Sequence, residues 1–364
     1  MKTLHIIDKL ALGGPATLLK GIFEKHITND HIFLYILRRT DIIVDIKHPK
    51  IIIYYSKNKF SFQPLQELKR IIENERIDIL HCHEHRSKLF GWLLKKKLFP
   101  NIKLVFHEHG DIFKNNMIYN KVLQFSIPQA DLYIAVSRST KQHLIKKANI
   151  PEDKIVVLYN FVDLAKYNRN NIVWSIKKKK EKINLKRDDF VIGFAARLIE
   201  SKGWRTIIES AELLLNYHPE VKFLIAGDGK DKAKLLQLID SKQLHRAILF
   251  LGYVSDMTWF YSILDCFVIS SYREAMGLTG IEAQAMATPL ISSEIETLHE
   301  IICDRENGLF FEPQNEKDLA DKISLLYEDH NLRQRIIAGG LETVKEYSLS
   351  NYIENLNRLY DNLP

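Results

Sequence analysis

The chain runs twice through one alternation: short runs of branched and apolar residues, separated by amphipathic stretches long enough for a helix. The first round supplies "TLHIID" (3–8), "HIFLYIL" (31–37), "IIIYY" (51–55), "ILHCH" (79–83), "KLVFHEH" (103–109), "LYIAVS" (132–137) and "KIVVLYN" (154–160). Helical stretches fall between most of them, near 15–26, 64–75, 86–98 and 138–148. Runs that are apolar on both faces predict strands buried between helix layers, hence a mostly parallel sheet. After a polar, Lys- and Asn-rich stretch over 161–188, read as an inter-domain connection, the pattern restarts. Its strands are "FVIGFAAR" (190–197), "VKFLIAG" (221–227), "AILFLGY" (247–253), "CFVISS" (266–271), "PLISS" (289–293) and "GLFFEP" (308–313). The expected class is α/β, two doubly wound domains facing a cleft, with ligand at the carboxyl ends of the strands. The first domain is expected over 1–168 and the second over 169–347, with a C-terminal helix over about 348–364 packing back on the first.

A length of 364 residues accommodates two such cores. No apolar run approaches the ~20 residues that would span a bilayer. The first ten residues, "MKTLHIIDKL", carry charge through their apolar part and no small-residue cleavage site, so no signal peptide is expected. Three scattered cysteines, Cys82, Cys266 and Cys303, suit a reducing cytoplasm. Charge is uneven: residues 1–180 hold 32 Lys and Arg against 16 Asp and Glu, a balance of +16, and the rest hold 20 against 29, a balance of −9. A basic front half suggests an anionic partner.

Chemistry is expected at the strand ends. After the first strand, "ALGGPATLLKGIF" places Gly13 and Gly14 at a strand-to-helix turn, where backbone amides and a helix N-terminus can meet phosphate. No G-x-G-x-x-G fingerprint and no G-x4-G-K-[ST] loop occurs, and "AGDGKDK" (226–232) lacks that spacing. "ARLIESKGW" puts Arg197 at a strand end, with Lys202 and Gly203 at a helix start; two cations there suit a pyrophosphate, and a salt bridge beside Glu200 is the bland alternative. "SYREAMGLTGIEAQAMATPLI" carries Glu274 and Glu282 as E-x7-E. Thr279-Gly-Ile-Glu282 fits a helix capping box, which would explain Glu282 without a ligand. It leaves Glu274, in the loop beside Gly277 and Gly280, unexplained, and carboxylates accept readily from sugar hydroxyls.

These strings resemble the retaining glycosyltransferases of family 4, which have the GT-B fold of two Rossmann-like domains. The family pattern S-x-x-E-x-x-G-x4-E-A-x-A is matched by Ser271, Glu274, Gly277, Glu282, Ala283 and Ala285, and "ARLIESKG" is similar to the family's cationic segment. "LIAGDG", "LGYV", "PLISS", "HEII" and "ENGLFF" follow in the family's order, and "GGPA", "HEHGD", "AVSRST" and "NFVD" resemble its front-half elements more loosely. The resemblance implies that Glu282 holds the ribose of a nucleotide and that Glu274 and His109 face the donor sugar. It implies that Arg197 and Lys202 neutralise the diphosphate in place of a metal ion, and that Gly14, Gly277, Leu278 and Thr279 lend backbone contacts. Catalytic roles are therefore expected for Glu274, His109, Arg197 and Lys202. Departures fall at Ala287-Thr288-Pro289, at Phe161 in "NFVD" and at Ala196 before Arg197.

The implied activity is sugar transfer from a nucleotide diphosphate donor, a UDP-sugar rather than a GDP-sugar, to a glycan or lipid-linked acceptor in polysaccharide or lipopolysaccharide synthesis, with no cofactor. A nucleotide-sugar epimerase of the same fold and a nonenzymatic nucleotide-sugar-binding protein are the alternatives. A cytoplasmic protein without a nucleic acid partner is expected, peripheral on the inner membrane face if "KLFGWLLKKKLF" (88–99) rests its apolar side on anionic lipid. "HCHEH" (81–85) and "HEH" (107–109) bring His81, His83, His107 and His109 to one face of neighbouring strands. Without a helical H-E-x-x-H, and by the family resemblance, no metal site is expected there.

Overall fold

The computed structural model describes the chain except residues 11–13, 26–30, 38–45, 47, 55–60, 111–128, 172–179 and 364. It divides into two compact units, Met1–Phe161 with Leu349–Pro364, and Val162–Ser348. In the first, strands β1 (Thr3–Ile7), β2 (Ile32–Ile36), β3 (Ile51–Ile53), β4 (Ile79–Cys82), β5 (Lys103–Glu108), β6 (Leu132–Ala135) and β7 (Ile155–Val157) form one sheet in the order β3-β2-β1-β4-β5-β6-β7. All its pairings are parallel. In the second, β8 (Phe190–Ala195), β9 (Val221–Ala226), β10 (Ile248–Gly252), β11 (Cys266–Ile269), β12 (Leu290–Ser293) and β13 (Leu309–Phe311) follow the order β10-β9-β8-β11-β12-β13, again all parallel. The doubly wound α/β reading is therefore what the chain adopts, and each expected strand lies within a residue or a few of its observed bounds.

Strand residues alternate between two cores. Leu4 and Ile6 enter one cluster with Phe33, Leu80 and Phe106, while Ile7 faces another with Leu34, Ile79 and Ile134. The second cluster takes in Ile22 and Phe23 from α1 (Gly14–Lys25) and Tyr352, Leu356 and Tyr360 from the C-terminal helix Leu349–Asp361. Phe161, the departure in "NFVD", is buried there with its ring 5.1 Å from that of Tyr352. In the second unit the larger core joins both sheet edges to the helices Trp204–Leu214 and Glu316–Glu328.

Helix His85–Lys97 answers the membrane expectation. Its apolar residues Phe90 and Leu94 are buried in the first core, so that side is not free to rest on lipid. Lys95 donates at 2.7 Å to both Asp131 and the Ile102 carbonyl, leaving Lys96 and Lys97 exposed. No described helix is long and apolar enough to cross a membrane. Lys88 of the same helix is buried and ion-paired with Glu108. Breaking a buried pair strands one charge, whereas removing both can be neutral. Lys88→Met should therefore cost about 3–5 kcal/mol in chemical denaturation, and adding Glu108→Leu should restore most of it.

Candidate active site

Each sheet is wound outward from its centre, and its order reverses between β1 and β4 and between β8 and β11. Connections leave such a pair of strands in opposite directions and open a crevice at their carboxyl ends. In the second unit the loop after β8 carries Arg197, exposed, its carbonyl accepting from the Ile199 amide at 2.8 Å and its guanidinium without a hydrogen bond or ion pair to any described residue. A short 3-10 turn, Glu200–Lys202, follows and ends on Gly203 at φ +67°. A Cβ on Gly203 would lie 1.8 Å from the Ser270 carbonyl oxygen, so only glycine permits this approach. The Ser270 hydroxyl bonds to the Lys202 and Gly203 carbonyls at 3.1 and 3.0 Å, and the Tyr272 amide donates to the Ser201 carbonyl at 2.8 Å.

This clamp brings Lys202 and Glu274 together. Lys202 Nζ donates to Glu274 Oε1 at 2.6 Å, and the Ser271 hydroxyl donates to the same oxygen at 2.7 Å. Glu274 therefore has a partner the sequence did not suggest, and Lys202 pairs with it rather than with Glu200. Gly277, at φ +84°, caps the helix α8 (Leu278–Ala285, so labelled as the eighth described α-helix) without any side-chain cap. The amides of a first helical turn have no partner inside the helix, so those of Leu278 and Thr279, in the loop-to-helix turn after β11, are left as donors.

Glu282 corrects the capping-box reading. The cap is Gly277, Thr279 is already helical, and the Glu282 carboxylate accepts from the Tyr261 hydroxyl at 2.9 Å and from Tyr167. The Tyr261 hydroxyl also reaches the Thr279 carbonyl at 3.1 Å. Burial pushes the Glu282 carboxyl above its usual range, and the two tyrosine hydrogen bonds pull it part of the way back. Burial likewise raises both tyrosines, with the Glu282 charge adding to it, so they remain neutral donors.

In the first unit, Gly14 opens α1, and a Cβ added there would meet nothing within 4 Å. Gly13 lies outside the described residues. His81, His83, His107 and His109 share a sheet face as expected, and His5 of β1 joins them. Glu108 points to the other face and pairs with Lys88. His109 is half-buried, contacts His83 through Nε2 at 3.0 Å, and burial together with the Lys88 charge lowers it to about 3. Two trios, His5-His81-His83 and His83-His107-His109, have ring nitrogens within 4.8 Å of one another, the residue types a divalent cation takes. Their nitrogens are directed at each other in pairwise hydrogen bonds of 2.9 to 3.2 Å, which a shared ion would have to break.

Residues 175–343 match the family model described as glycosyl transferases group 1, and residues 30–166 match that of Glycosyltransferase Family 4. The chain belongs to the group 1, family 4 glycosyltransferases. A glycosyltransferase of Methanocaldococcus jannaschii is 26% identical over 96% of this chain and 94% of its own length. The N,N'-diacetylbacillosaminyl-diphospho-undecaprenol alpha-1,3-N-acetylgalactosaminyltransferase of Campylobacter jejuni is 26% identical over 85% of each chain. Among solved structures, Anabaena HepE in complex with UDP-glucose covers the whole of both chains with a TM-score of 0.85 at 19% identity, a likeness of GT-B fold.

Sequence reasoning about this glycosyltransferase missed Tyr167, Tyr261, Ser270, His5 and Tyr360, and gave Ser271 no role. Tyr167 and Tyr261 lie 94 residues apart in the chain, and no local pattern links them to Glu282. Ser271 alone was in the matched motif. The raised Glu282 pKa has a signed consequence: the stability it contributes is full below the unfolded carboxyl value, ~4.3, and is lost as pH rises through the folded one. Glu282→Gln keeps an acceptor oxygen and removes the charge. Its melting temperature without ligand should equal or exceed the parent's at neutral pH, and the difference should vanish in acid. Calorimetry at the two pH values checks this, and a destabilised variant at neutral pH contradicts it.

Proposed function

We propose that this enzyme transfers a sugar, with retention at the anomeric carbon, from a nucleoside diphosphate donor to a glycan or lipid-linked acceptor, and that it needs no metal ion. The observation that supports it best is the set of fixed positive groups at the β8–β11 switch point. The Arg197 guanidinium has no partner among the described residues, Lys202 is held within 2.6 Å of Glu274, and α8 begins without a side-chain cap. A diphosphate leaving group gains charge as its bond to the sugar breaks, and preorganised cations and dipoles stabilise that charge without reorganising. Arg197 suits two phosphate oxygens at once, and Lys202 adds a point charge whose partner, Glu274, is then freed toward the sugar hydroxyls.

In the reaction so read, the anomeric C–O bond to the diphosphate breaks while the acceptor oxygen bonds the same face of that carbon. The acceptor's proton passes to the departing phosphate oxygen. Glu282, braced by two tyrosines, is assigned to the ribose hydroxyls, Gly14 to the diphosphate, and His109 to the sugar. A UDP-sugar is favoured because the HepE fold relative was solved with UDP-glucose. A lipid-linked acceptor is favoured because the Campylobacter relative's name states one, and the basic balance of residues 1–180 suits an anionic acceptor or membrane surface.

A thermal-shift panel of nucleotide sugars identifies the donor, since a ligand bound only by the folded state raises the melting temperature with its concentration over Kd. With that donor, Arg197→Ala and Glu274→Gln should each lower kcat by about 10²-fold or more while the fold survives. Product NMR should show the donor's anomeric configuration, and turnover should persist in excess chelator. An inverted product, chelator-sensitive turnover, or an epimerised donor in the absence of acceptor would each defeat the reading.

A further inference from the structure

The functional reading uses one of five clustered imidazoles and leaves the other four, with Tyr360, unexplained. Their contacts trace an unbroken path through the first unit. His107 Nδ1 meets His81 Nε2 at 3.2 Å, His81 Nδ1 meets the Tyr360 hydroxyl at 2.5 Å, and that hydroxyl meets His5 Nε2 at 3.4 Å, the longest link. His5 Nδ1 then meets His83 Nε2 at 2.9 Å, and His83 Nδ1 meets His109 Nε2 at 3.0 Å. The directly bonded pairs have ring centroids 5.2 to 5.3 Å apart and planes within 23°. That is the spacing of rings joined edge to edge. The path folds over on itself, with His81 stacked on His5 and His83 at 4.7 and 4.4 Å and His107 on His109 at 4.1 Å.

A neutral imidazole has one N–H and one lone pair, and a phenol can accept one hydrogen bond while donating another. Every junction here runs from an Nδ1 to an Nε2, directly or through Tyr360. The direction of one hydrogen bond therefore dictates the next, and among the contacts of the described residues only two arrangements satisfy every junction: all five rings protonated on Nδ1, or all five on Nε2. Burial holds His81, His83 and His107 well below the ordinary histidine range, and His109 at about 3, while the Lys88 ammonium, itself paired with Glu108, adds to the effect. The two arrangements differ at the ends. Among the described residues, His107 Nε2 and His109 Nδ1 are buried atoms without a partner. Protonation on Nε2 would leave an N–H without an acceptor at His107, which is 0% exposed. Protonation on Nδ1 leaves a bare lone pair there and moves the unmatched N–H to His109, whose Nδ1 is equally buried but belongs to a partly exposed residue at the carboxyl end of β5, where an arriving ligand oxygen can supply the acceptor. Orphaned N–H groups are the rarer fault in buried structure.

We propose that His107, His81, Tyr360, His5, His83 and His109 form one polarised hydrogen-bond chain with every histidine protonated on Nδ1, so that His109 offers an N–H, and not a lone pair, to an oxygen of the bound sugar. The last clause rests on the assignment of His109 to the sugar made above; the chain itself does not. His109 is thereby a ligand-binding donor, and the other five are positioning residues that set its tautomer from as far away as the C-terminal helix.

Two-bond ¹H–¹⁵N correlation spectra of the full chain labelled at histidine report which nitrogen of each ring carries the proton. His109→Gln and single substitutions of the other rings assign the signals. All five rings should show the Nδ1–H pattern, the minor form of free histidine in water, unchanged across the neutral pH range. One ring with Nε2–H, or one that titrates in that range, overturns the chain. UDP-glucose should then shift the His109 Nδ1 signal, and UDP alone should not. If both bind by thermal shift and neither moves His109, the ligand half of the proposal falls while the chain stands. If neither binds, the donor assignment fails and the tautomer result is untouched.

Discussion

A parallel sheet wound outward from its middle must contain one pair of neighbouring strands whose connections depart to opposite sides. That reversal is the constraint on which this glycosyltransferase is built, and it occurs once in each unit, between β1 and β4 and between β8 and β11. Strands buried on both faces are mostly apolar along their length, the buried histidines of β1, β4 and β5 being the exception here. Function is therefore pushed to the carboxyl ends, where loops of unrelated sequence meet. The described candidate residues all lie there: Gly14 after β1, His109 after β5, Arg197 and Lys202 after β8, and Glu274 to Glu282 after β11.

At the β8–β11 crevice the backbone does much of the positioning. Gly203 approaches the Ser270 carbonyl too closely for any side chain, and the Ser270 hydroxyl ties back to two carbonyls of the neighbouring loop. Lys202 and Glu274, 72 residues apart, consequently meet at 2.6 Å. The pair is only partly exposed, at 19% and 14%, so its attraction is less screened than that of a surface ion pair. The Arg197 guanidinium has no partner among the described residues. The contrast with Glu282 is informative: there burial opposes the charge, and two neutral tyrosines compensate it ahead of the nearby Lys166 charge.

The first unit solves a different problem. Burying five imidazoles is costly unless each finds a donor and an acceptor. Here all ring nitrogens but the two at the ends, His107 Nε2 and His109 Nδ1, find partners within the group, and the C-terminal helix supplies the phenol that joins the two strings. Such a network is coherent only when complete, because a reversed link would set two donors or two lone pairs against each other. The same helix closes the apolar core with Tyr352 and Leu356. One element thus serves both packing and polarity.

Strand and helix positions were legible from local pattern because apolar periodicity is a local property, and so were the fold class and the acidic and cationic motifs. Glu282 shows where that legibility ends. The string Thr279-Gly-Ile-Glu282 satisfies a capping rule, yet a close approach of Gly277 to Leu298 and Ile301 sets the helix start elsewhere. His5 looked like an interior residue of a first strand, and Tyr360 like an aromatic on a terminal helix; their meeting needed the order of strands and the return of the chain's end to the sheet. By itself, the sequence determined which segments are strands, that those strands lie covered on both faces, and which residue types stand at their tips. Tertiary structure alone decided which tips are neighbours, which charge answers which, and which buried rings meet. Pattern acts over a few residues, whereas hydrogen bonds and ion pairs act between atoms a few ångströms apart whatever their separation along the chain.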